Sequence, residues 1–146
     1  MDIELHFNKG LAGAPAEALA AARDTAMNPD VLTAFALAIV ATGGAAQYPG
    51  LPGRALDAAE AHRNAANVDR ATAALRALAP RSGSYVSESN FFNQRWQSAF
   101  WGAHYERLRR VKAQYDPDGL FTVHHGVGSE DWSPDGFVRA AAGARA

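Results

Sequence analysis

Ile3, Leu5 and Phe7 alternate with Glu4 and His6, the two-residue period of a half-buried strand. A loop over 8–13 follows, and then a helix that Pro15 opens and that Asn28-Pro29 closes after about Met27. Between 35 and 42, aromatic and β-branched residues mix with alanines ahead of Gly43-Gly44, which predicts a second strand. Residues 47–53, with two prolines, read as a turn-rich connector. From Arg54 to about Ala79, Leu56, Ala59, His62, Ala66, Val68, Ala71, Leu75 and Leu78 give a loose helical stripe. That stripe predicts one long helix, or two in series, ended by Pro80. A short extended stretch over 82–87 comes next. Asn93 is then placed as an N-cap for a helix whose face carries Trp96, Phe100, His104, Leu108, Val111 and Tyr115 at steps of three or four. Asp116-Pro117-Asp118-Gly119 stops it. Trp101, Tyr105 and Lys112 flank the stripe, so the aromatic surface is broader than one neighbour requires. The pattern as a whole is α+β and helix-rich, with a partial antiparallel sheet and several helices.

Composition narrows the chemistry. The chain has 146 residues, enough for one domain's core, but alanine supplies much of its 48% hydrophobic content, so bulky core formers are local. A formal net charge of -1 gives no field to gather nucleic acid or an anionic membrane. The absence of cysteine removes disulfides, thiolate metal sites and a thiol nucleophile. Met1 to His6 lacks the basic start and apolar run of a signal peptide, and no apolar run is long enough to span a bilayer. The cytoplasm is the expected compartment.

Candidate sites are few. His124-His125 with Glu130 and Asp131 lack the spacing of a helical zinc site, so a structural role is preferred and no metal is expected. Gly126-Val127-Gly128-Ser129 begins like a dinucleotide fingerprint, but Asp131 stands where the third glycine belongs. Arg107, Arg109, Arg110 and Lys112 are bracketed by Glu106 and Asp116 and read as solvated or salt-bridged. Asn8-Lys9 suits either an anion-holding loop or a simple turn. Tyr85 and Glu88 are a phenol and a carboxylate suited to proton transfer, and sharing one task would require a bend at Ser87.

From Tyr85 to Trp132 the motifs run Tyr85-Val86-Ser87, Glu88-Ser89-Asn90, Phe100-Trp101-Gly102, His104-Tyr105-Glu106-Arg107-Leu108, Lys112-Ala113-Gln114-Tyr115-Asp116-Pro117 and Phe121. Gly128-Ser129-Glu130-Asp131-Trp132 closes the series. This order resembles the C-terminal berberine bridge enzyme-like segment of FAD-linked oxidases in the vanillyl-alcohol oxidase superfamily. His6-Phe7-Asn8-Lys9-Gly10-Leu11 is similar to a substrate-domain strand of the same family. The resemblance implies a remnant of a substrate domain over 1–80, the berberine-like segment over 81–135 and a disordered or helical tail over 136–146. It implies FAD held mainly by a module absent from this chain, which would be a partner alongside a small-molecule substrate. Tyr85 and Glu88 would then be catalytic, Tyr85 and Ser87 would face the flavin, and Asn8 and Lys9 would contact substrate. Ser87 departs from the family pattern, which has asparagine there. A non-catalytic module that docks its aromatic surface on an FAD-binding partner chain is the alternative.

Overall fold

The computed structural model describes residues 1–8, 11–44, 50, 52, 55 and 57–140. Lys9, Arg54, Leu56 and most of the 47–53 connector lie outside the described residues. In chain order the regular elements are β1 (Asp2–Phe7), α1 (Ala16–Arg23), β2 (Ala36–Ala41), α2 (Ala58–Leu78), α3 (Trp96–Trp101) and α4 (Tyr105–Tyr115). They fall into two units, Met1–Gly10 with Ala34–Ser82 and Leu11–Thr33 with Gly83–Ala146. No helix among the described residues is long and apolar enough to cross a membrane.

In the first unit β1 and β2 pair antiparallel, from Asp2 opposite Ala41 to Phe7 opposite Ala36. The Asn8 N–H donates to the Phe35 carbonyl at 3.0 Å and extends the ladder by one step. Alternation puts Ile3, Leu5 and Phe7 on one face, across from Val40, Ala38 and Ala36. The period is as expected but the burial is not. Ile3, Leu5 and Phe7 are 53%, 54% and 70% exposed, because no third element among the described residues covers this face.

α2 is one helix, opened by the Asp57 carboxylate, which accepts the Glu60 N–H at 2.8 Å. Its half-buried line runs through Glu60, Asn64, Asn67, Val68, Ala71, Thr72, Leu75 and Arg76. Ala59, His62, Ala66 and Leu78, which the expected stripe includes, are exposed. Val68 and Leu75 are the bulky residues that gain from burial, and they set the face; alanines gain too little to rotate it.

The second unit holds the small core of Trp96, Ala99, Phe100 and Tyr105, with Trp101 and Val127 packed against it. α1 begins after Pro15 and stops at Arg23 rather than near Met27. Asp24 leaves the helix there, and its carboxylate receives the Arg107 guanidinium at 2.5 Å. Asn28 is the node of this unit. Its side-chain oxygen accepts the Asp30 N–H at 3.0 Å and starts a 3-10 turn, Pro29–Leu32. Its amide donates to the carbonyls of Ala99 at 2.9 Å and Ser98 at 3.3 Å.

The continuous helix expected over 96–115 is broken at Gly102, which has φ 52 and ψ -133. A Cβ there would lie 2.6 Å from the Asn28 side-chain oxygen, so glycine meets both a backbone and a space requirement. A 3-10 turn, Gly102–His104, then leads into α4. Asn93 does not cap α3 as expected. Arg95 holds the cap position, and the buried Asn93 accepts the Arg95 N–H at 3.0 Å to form the preceding turn. α4 ends where expected, and Asp116 accepts the Leu120 and Phe121 N–H groups at 2.7 and 3.1 Å. Lys112 donates to the same carboxylate.

Candidate functional site

The segment that carries Tyr85 is tied to α3 by the Ser84 N–H, which donates to the Ala99 carbonyl at 2.9 Å. Tyr85 itself is extended, and the chain then folds into a 3-10 turn, Val86–Glu88, with the Glu88 N–H 3.2 Å from the Tyr85 carbonyl. The stretch over 82–87 is therefore not extended throughout, and it bends at Ser87. The bend that a joint task for Tyr85 and Glu88 requires is present. Tyr85 is 52% exposed, and Val86, Ser87 and Glu88 are exposed as well.

Asn8 lies at the end of β1 in the first unit, where its backbone continues the strand pairing. Lys9 is outside the described residues. The structure thus brings Tyr85, Ser87 and Glu88 together in one turn and places Asn8 in the other unit.

Just beyond the turn stand Phe91 and Phe92, 61% and 74% exposed, their rings edge to face at 5.2 Å. Two adjacent aromatics in a loop show no period, so the pattern of positions does not single this pair out. His124 stacks on Phe91 at 3.8 Å, and its Nε2 lies 2.7 Å from the Phe91 carbonyl. His125 stacks on Trp96 at 5.3 Å. Both histidines pack against rings, and no group of three or more His, Asp or Glu among the described residues could hold a metal ion.

The acidic end of the loop is held from α4. The Tyr105 hydroxyl donates to the Glu130 carboxylate, 2.5 and 2.6 Å from its two oxygens, and accepts the Gly128 N–H at 3.3 Å. Burial and then the Glu130 bond push this phenol well above its ordinary value. Arg109 pairs with Glu130 at 3.1 Å and Asp131 at 2.6 Å, as expected for a salt-bridged basic stretch.

These contacts decide how the chain could meet a dinucleotide. A phosphate cradle needs unspent backbone N–H groups. In the glycine turn the Gly126, Ser129 and Asp131 N–H groups donate to the Val123, Gly126 and Gly128 carbonyls, and Gly128 donates to Tyr105. The nearby groove of about 240 Å³ is lined by Arg109, Lys112, Asp116, Asp131, Trp132 and Arg139. Arg109 and Lys112 are paired with carboxylates, and Arg139 donates to the Pro117 carbonyl at 3.0 Å. Neither feature fits the pyrophosphate of FAD. The exposed Tyr85 turn suits a ligand held from outside these residues.

The profile of the family described as "Berberine and berberine like" matches residues 84–128. A protein named FAD-linked oxidoreductase notD' from Aspergillus versicolor is 53% identical over 55 residues, 38% of this chain and 9% of that protein. Flavin-dependent oxygenase ucdF from Aspergillus ustus is 49% identical over 66 residues, 44% of this chain and 12% of that protein. VAO-type flavoprotein oxidase VAO615 from Thermothelomyces thermophilus is 46% identical over 65 residues, 44% of this chain and 11% of that protein. No solved structure matches. The chain thus spans only about a tenth of the length of these curated relatives. Residues 84–128 are thus similar to the berberine-like segment, and the chain shares a stretch of 55–66 residues with proteins named as FAD-linked or flavin-dependent.

Proposed function

We propose that this chain is the C-terminal, substrate-side portion of an FAD-dependent oxidoreductase acting on an alcohol, amine or sugar-like substrate. FAD in the full enzyme would accept the hydride and pass its electrons to oxygen. It would be held mainly by a module outside this chain, in keeping with a glycine turn whose N–H groups are spent internally. One observation supports the reading: the berberine-like segment opens on a turn at which Tyr85, Ser87 and Glu88 are all exposed. Tyr85 takes the substrate proton, Glu88 receives or steers it, and the Ser87 hydroxyl faces the flavin. Asn8 and Lys9 contact the substrate. The partners are a small molecule and the FAD module, not nucleic acid or a membrane, and the compartment is the cytoplasm. Alone, the chain turns over nothing.

The exposed Phe91, Phe92 and Phe121 favour a second reading, a non-catalytic module docked on a separately encoded FAD-binding chain. The test is the full-length enzyme with Tyr85→Phe. We expect kcat/KM to fall by about 10²-fold or more with flavin content unchanged, the usual weight of a positioned proton acceptor. Wild-type turnover in that variant would remove Tyr85 from the chemistry. A flavin absorbance band that co-elutes with the isolated 146-residue chain would overturn the missing cofactor site.

A further inference from the structure

We propose that His124 and His125 form an acid-sensitive latch: with at most one proton between them they complete a stack that closes the 123–128 turn on α3, and a second proton opens it. The stack is continuous. Phe91 lies 3.8 Å from His124 at 11° between planes, His124 lies 3.8 Å from His125 at 30°, and His125 lies 5.3 Å from Trp96 at 14°. It runs from an exposed ring to a buried one. His125 has φ 57, a left-handed conformation that a residue with a side chain adopts only when its surroundings hold it. Contact with Trp96 and Phe100 is what holds it here.

One proton is accommodated. The His124 Nε2, 2.7 Å from the Phe91 carbonyl, can donate as a neutral tautomer or as a cation, and His124 is exposed. A second proton is opposed, since it sets two imidazolium rings face to face with the inner one half-buried. Among the described residues, His124 is the charged group that acts on His125. α3 presents Trp96 and Phe100, the turn before it presents Phe91, and α4 reaches the cluster through Tyr105. The Tyr105 ring meets Trp96 edge-on at 5.5 Å, and its hydroxyl is taken by Glu130, which is itself paired with Arg109.

Burial and then His124 hold His125 below the ordinary imidazole value of 6.5. The folded state therefore binds fewer protons here than the unfolded chain. The stack is at full strength above that value and weakens as the pH falls below it. Opening releases Val127 from the core and uncovers Trp96.

The test is tryptophan emission and far-UV circular dichroism of the 146-residue chain from pH 8 to pH 5, in wild type, His124→Phe and His125→Asn. Wild type should show a reversible red shift with its midpoint below 6.5 and little change in helix signal. His124→Phe keeps a flat ring in the stack but can take no second proton, and should lose the transition between pH 8 and pH 5. Asparagine tolerates the left-handed backbone, so His125→Asn should fold and lose the transition. A flat wild-type profile, or a transition kept by His124→Phe, would overturn the latch. Should His125→Asn not fold, imidazole proton NMR of the wild-type chain decides: His125 titrating at or above 6.5 sinks the proposal.

Discussion

Alanine in place of Gly13, Gly83 and Gly102, one at a time, separates two costs imposed within a single unit. Gly13 has φ +79 and nothing within 4 Å of an added Cβ, so only backbone strain is tested. A Cβ on Gly83 would lie 2.7 Å from the Asn28 amide nitrogen and 2.9 Å from the Ala99 carbonyl, with no unusual φ, so only crowding is tested. Gly102 carries both, with φ +52 and Asn28 at 2.6 Å. The left-handed backbone costs alanine about 1–2 kcal/mol, less roughly 0.4–1 kcal/mol from a stiffer unfolded chain, so Gly13→Ala should lose about 1 kcal/mol. Crowding a packed site costs about 1–3 kcal/mol, and each Asn28 bond disturbed adds about 1 kcal/mol. Gly83→Ala should therefore lose roughly 2–3 kcal/mol and Gly102→Ala roughly 3–4 kcal/mol. Urea unfolding measures this directly; at a slope of about 2 kcal/mol/M, the Gly102 variant shifts its midpoint by more than about 1 M. The double variant Gly83→Ala/Gly102→Ala should lose less than the sum, since both displace one side chain. If Gly102→Ala matched Gly13→Ala to within about 0.5 kcal/mol, Asn28 would not be the node described here.

Tyr105 should show itself at alkaline pH. Its folded value is raised, so the stability it contributes is complete below the unfolded value of 10.0 and is lost as the pH rises past it. The difference in phenolate absorbance at 295 nm between wild type and Tyr105→Phe should show Tyr105 ionising only as structure is lost. Ionisation of Tyr105 at its ordinary value of 10.0 in a folded chain would refute the Glu130 bond. The Trp101 indole N–H is buried and has no partner among the described residues, so Trp101→Phe removes a cost of about 1–3 kcal/mol along with some packing. That variant should lie within about 1 kcal/mol of wild type, whereas Phe100→Ala should lose about 3–5 kcal/mol. Thermal melts that ranked them the other way would place an acceptor on Trp101.

What the amino-acid pattern disclosed follows the range of the interaction concerned. The period of β1, the run that makes β2 and the stop at Asp116-Pro117 are local, and all three appear where the residues placed them. The break at Gly102 is not local. It depends on Asn28, distant in sequence, whose amide bonds to Ser98 and Ala99 fix the end of α3. Without that partner the spacing from Trp96 to Tyr115 reads as one helix. The same holds for Asn93, which looks like a cap and serves a turn instead. Burial was least legible: Val111 and Tyr115 keep their place on the stripe but are 44% and 78% exposed, while the Lys112 side of the same turn meets Phe121 and the 128–132 loop.

The candidate site divides along the same line. Tyr85 and Glu88 were visible as chemistry, but the turn that bends the chain between them comes from a backbone bond that no period encodes. The contrast between this turn and the 123–131 loop bears on function. In the loop, the Gly128 N–H, both histidine rings and the Glu130 carboxylate are engaged, through Tyr105, Arg109, Phe91 and Trp96. At the turn, by contrast, a phenol, a hydroxyl and a carboxylate stand exposed on a backbone pinned to α3 through Ser84. A rigid base under exposed polar groups suits residues that must meet a ligand supplied from elsewhere. The engaged loop reaches that base through the Tyr105 ring, edge-on to Trp96 at 5.5 Å. Loosening it by Tyr105→Phe should therefore disturb the Tyr85 turn only as far as α3 itself moves, through Trp96 and the Ala99 carbonyl.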